Sequence, residues 1–177
     1  MVSLNLDKII EYMEIYGNDI EENHRGWYDR RDGQIHVFSR EVLGYIEDLD
    51  ENEEPDFSKF PEWQREEVAE ALAFYEKWDG KSLVSMPDRY EFNQYGIMEE
   101  YRDCQDNPAI YNQLDASLHG KGAFRRFKDT ALRLGLLQQW YTFRDNAMLE
   151  KARQWCDENN IPYIQEKGGT AEARRKE

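Results

Sequence analysis

One segment, GWYDRRDGQIHVFS (26–39), limits the folds open to this chain. Aromatic and β-branched residues flank Asp32-Gly33, a dipeptide that accommodates positive φ in hairpin turns. The pattern predicts strands near 27–30 and 34–38. The run at 82–86, stopped by Pro87, supplies a third. Elsewhere the apolar residues recur at helical rather than alternating spacing, so a small sheet must pack against many helices. An α+β fold with a three-stranded antiparallel sheet and a helical C-terminal half is expected.

The helices announce their ends. Leu6, Ile9, Ile10 and Met13 share a face behind Asn5, and Ser39 caps a short helix over 41–48. Pro61 opens a helix whose inward stripe reads Val68, Ala71, Leu72, Tyr75 and Trp78, ending at Gly80. Further helices are expected over 93–102, from Pro108, in the stretch between the Gly120–Gly122 pair and Gly135, and over 137–158 with Trp140, Phe143, Ala147, Ala152 and Trp155 inward. In the helix before Gly135, Phe124, Phe127, Ala131 and Leu134 form the stripe, which places Phe124 and Phe127 inside and Arg126 outside. A single globular unit over 1–164 follows, with a disordered tail over 165–177, where Gly168-Gly169 and charged residues leave nothing to bury.

Charge divides this unit. Residues 1–120 carry 29 carboxylates against 11 Lys and Arg, net −18, whereas residues 121–177 carry 8 against 12, net +4. The acidic body is thus followed by a basic block. No run reaches the ~18 apolar residues of a membrane span. MVSLNLDKII has no basic stretch leading into an apolar one, and Cys104 and Cys156 form no CxxC or disulfide framework. A cytoplasmic protein without membrane association is expected, and no oligomeric state is implied.

Five blocks occur together: FPEWQREE (60–67), LVSMPDRYEFNQYGIMEEY (83–101), GKGAFRRFKDTALRLGL (120–136), WYTFRD (140–145) and WCDENNIPY (155–163). In order and spacing they resemble the bacterial proteins grouped as Uncharacterised Protein Family 0158, over roughly residues 5–164. That family has no agreed activity, so the resemblance implies no catalytic or ligand residue.

The basic helix is the candidate site. Lys121, Arg125 and Asp129 lie at i, i+4 and i+8, with Arg126 and Lys128 beside them. Gly120 and Gly122 bracket the helix start, where free N–H groups and the positive dipole end favour anions. The plainer reading makes Gly120 a helix terminator and pairs the cations with the acidic body. GKG lacks the spacing of a phosphate-binding P-loop.

Other motifs fail on inspection. Asp48, Asp50 and Asn52 mimic the start of a calcium loop, but Glu53 stands where glycine is needed and Lys59 where the bidentate glutamate belongs. His24, His36 and His119 are scattered, so no metal or cofactor is expected. Cys156 shares an inward helix face with Trp155 and reads as a buried thiol. The Met86-Pro87-Asp88 strand end reads as a turn.

The expected function is therefore a non-enzymatic binding protein that engages an anionic partner through Lys121, Arg125, Arg126 and Lys128. An acidic protein fits best; RNA or DNA fits less well, because a −18 body repels a polyanion. A small enzyme or binder for a phosphorylated metabolite at Gly120–Gly122 is the alternative.

Overall fold

The computed structural model describes residues 3–16, 23–50, 53–88 and 90–165; the expected tail, apart from Gln165, lies outside them. The fold is α+β. In chain order the elements are β1 (Leu4–Asn5), α1 (Leu6–Tyr16), β2 (His24–Asp29), β3 (Ile35–Ser39), α2 (Arg40–Glu47), α3 (Arg65–Glu76) and β4 (Leu83–Ser85). α4 (Gln94–Asp103), α5 (Pro108–Leu118), α6 (Ala123–Arg133), α7 (Leu137–Glu158) and β5 (Tyr163–Ile164) complete it.

Side-chain caps set several of these starts. Ser39 Oγ accepts the Val42 N–H at 3.4 Å, Asn93 Oδ1 that of Gly96 at 3.0 Å, and Asn107 Oδ1 that of Ala109 at 2.9 Å. Each satisfies a donor that the first helical turn leaves free.

The antiparallel sheet runs β3-β2-β4, with Tyr28 opposite Ile35 and Val84. Successive strand residues point to opposite faces, and both faces here are covered. Trp27 and Phe38 join α2 and α3 in one apolar cluster. Tyr28 enters a larger cluster with α1 and the C-terminal helices. The sheet is thus the middle layer of three.

The large cluster centres on rings. Phe127 and Trp140 lie 4.9 Å apart, and Tyr101 touches Phe127, Trp140 and Phe143 edge-on at 5.2–6.3 Å. Edge-to-face contacts of this kind stabilise beyond the area they bury.

Three expectations need correction, and one pairing was unforeseen. Phe124 is 47% exposed, not buried. Arg126 is half-buried, not exposed. Trp78 lies beyond the end of α3 and is 43% exposed, while Phe74 takes the inward position. A two-residue parallel ladder of β1 with β5, which leaves no sequence pattern, joins the ends of the described chain; Leu4 N–H donates to Pro162 O at 2.8 Å.

Candidate functional site

The helix start at Gly120–Gly122 is built around Arg126. The last carbonyls of a helix have no intrahelical donor, and α5 ends at Leu118 with its chain turning at once. Arg126 Nε donates to Ser117 O at 3.3 Å and Nη2 to Gly120 O at 2.9 Å. The same guanidinium donates to the carbonyls of His119 and Lys121. Gly120 (φ 80°) and Gly122 (φ 78°) adopt the left-handed conformation that curls these carbonyls inward. The glycine pair therefore forms a cradle of oxygens around a cation of the chain itself. That polarity is opposite to the one an anion site at Gly120–Gly122, the alternative reading of the sequence, would use.

The other basic residues remain outside. Lys121, Arg125 and Lys128 are exposed, and Arg125 Nε meets Asp129 only at 3.8 Å, with both side chains largely in solvent. Exposed pairs of this kind contribute little. Phe124, Lys128 and Leu132, at i, i+4 and i+8, form one exposed row, with Leu132 62% exposed. The outer face of α6 is thus an apolar pair set among cations. Sequence reasoning missed Leu132, although its spacing from Phe124 was visible.

A second site lies on the sheet. A cleft of about 650 Å³ is bounded by β2, α2, the end of α3 and the segment after β4. Arg25, Arg40, Glu47, Tyr75, Trp78 and Asp88 line it. Tyr12 closes one end: a Cβ on Gly26 would meet the Tyr12 ring at 2.6 Å, so only glycine fits there. Nothing in the sequence joined these distant segments.

The remaining candidates have simpler accounts. The hairpin brings one ligand atom each of Asp29, Asp32 and His36 within 4.8 Å of one another, a grouping unforeseen in the sequence. Buried Asp29 is already gripped by Arg31, whose Nε and Nη2 donate to it at 2.6–3.0 Å. Burial alone raises its pKa, but these bonds outweigh that and hold the carboxyl below its usual range. Asp32 Oδ2 pairs with His36 Nε2 at 3.3 Å. The hairpin meets its own charge, and a metal would have to displace the guanidinium. Cys156 is fully buried, and burial, reinforced by Asp157, pushes its thiol up to about 12. It is no nucleophile at neutral pH.

Among the described residues, no helix is long and apolar enough to cross a membrane. No family model, no curated protein and no solved structure matches the chain.

Proposed function

We propose that the chain is a binding protein whose outer α6 face docks an acidic protein segment carrying apolar side chains. The observation that carries this reading is the exposed Phe124–Lys128–Leu132 row flanked by Lys121 and Arg125. Exposed apolar side chains among Lys121, Arg125 and Lys128, with Asp129 as the one acid of the helix, suit an acidic partner. A protein segment fits better than nucleic acid, because the −18 body repels a polyanion beyond this one helix. Arg126 takes no part, and the carbonyls around it disfavour a phosphorylated metabolite at Gly120–Gly122. The two free cysteines suit the cytoplasm. The resemblance to Uncharacterised Protein Family 0158 belongs to the same reading and adds no activity.

A photo-reactive phenylalanine analogue at position 132 tests this. Irradiation in lysate is expected to join the chain to a protein, and the yield falls with added salt, because exposed charges are screened over about 8 Å at physiological ionic strength. The same analogue at Lys81, in another exposed segment, is the control. Equal yield at both positions, or a product unchanged by Phe124→Ser with Lys128→Glu, contradicts the proposal.

A further inference from the structure

The cleft on the sheet opens where β4 stops pairing with β2. β4 pairs with β2 only over Trp27–Asp29, and the Met86 N–H reaches Gly26 O at 2.9 Å. Beyond Met86 the pairing stops, and β2 runs on through Arg25 and His24 without β4 beside it. α2 forms one wall: Arg40 and Glu47, seven residues apart, lie on the same face. Tyr75 and Trp78 form the other.

The charges in this cleft are not equivalent. Glu47 accepts the Tyr75 hydroxyl at 3.1 Å, and Asp88 Oδ1 accepts the N–H groups of Tyr90 and Glu91 at 2.7 and 2.9 Å. Both carboxylates are thus engaged by the fold. Arg25 and Arg40 are exposed, and neither has a carboxylate partner among the described residues. Glu47 and Asp88 keep their charge, and what sets the two guanidiniums apart is donors that no described residue engages. Trp78 stands beside them, half-exposed, stacked on Tyr75 at 5.5 Å and edge-on to Trp27 at 5.9 Å. Its neighbours hold the indole in place while part of it faces solvent.

We propose that this cleft binds a planar ring bearing an anionic group, the chemistry of a nucleoside monophosphate. The guanidiniums of Arg25 and Arg40 take the anion, and the Trp78 indole stacks on the ring. The volume of about 650 Å³ is in the range of small-molecule sites. This inference is independent of the α6 surface.

Calorimetric titration of the full chain with adenosine, guanosine, cytidine and uridine 5′-monophosphates tests it, with adenosine and inorganic phosphate as separate arms. At least one monophosphate is expected to saturate the chain with a dissociation constant below about 1 mM. Adenosine, lacking the anion, and phosphate, lacking the ring, each bind at least about tenfold more weakly than that nucleotide. Arg25→Gln with Arg40→Gln is expected to cause a similar loss without moving the melting temperature of the free chain, and Trp78→Leu a similar loss at a temperature well below its own, lowered midpoint. No saturable binding by any of the four, or binding unchanged in both variants, overturns the proposal.

Discussion

Three arginines of this acidic chain are spent on carbonyl groups at helix C-terminal ends. Arg126 holds the end of α5, Arg30 donates to Asn159 O at 2.5 Å and Asn160 O at 3.3 Å beyond α7, and Arg31 reaches Lys77 O beyond α3. A guanidinium there satisfies orphan acceptors and opposes the negative dipole end. None of this was legible in the sequence, because the acceptors are backbone atoms brought near by turns. A contrasting residue is Tyr101, whose buried hydroxyl has no hydrogen-bond partner among the described residues. Burial raises its pKa, with Cys104 adding to the effect, so the group stays protonated and unsatisfied. Tyr101→Phe removes that cost while keeping the ring contacts with Phe127 and Trp140. Urea unfolding is expected to show a gain of about 1 kcal/mol; a loss of similar size would mean that the hydroxyl is satisfied.

At the scale of the element, α6 shows how far periodicity reaches. Phe127 and Ala131 were legible as inward residues, and both are fully buried. A stripe through Phe127 can continue toward the N-terminus through position 123 or 124, three or four residues back. Hydrophobicity favoured Phe124, but the fold buries Ala123 instead and leaves the larger ring outside. The two phenylalanines should therefore respond oppositely. Phe127→Ala is expected to destabilise by about 3–5 kcal/mol, and Phe124→Ser by less than about 0.5 kcal/mol. Comparable losses in chemical denaturation would return Phe124 to the core. The hairpin was legible for a different reason: its turn and its strands are contiguous in sequence. Even there the strands run His24–Asp29 and Ile35–Ser39, offset from the expected bounds, because five residues separate them.

Across the whole molecule, a three-stranded sheet separates two apolar clusters, and the basic helix belongs to the larger one. The α+β class was readable because helical and alternating patterns occupy separate segments. The cleft was not, since its residues come from α1, β2, α2, α3 and the segment after β4. The central claim is that the cations of α6 and of the turn before it are divided: Arg126 bonds the carbonyls at the end of α5, while Lys121, Arg125 and Lys128 face solvent. Thermal unfolding of two charge-reversal variants tests that division most directly. Arg126→Glu is expected to lower the midpoint by about 5 °C, since it strips donors from several carbonyls and sets a carboxylate among them. The triple change Lys121→Glu, Arg125→Glu and Lys128→Glu should stay within about 1 °C of the parent. A silent Arg126→Glu, or a triple variant that melts as early, would contradict the division.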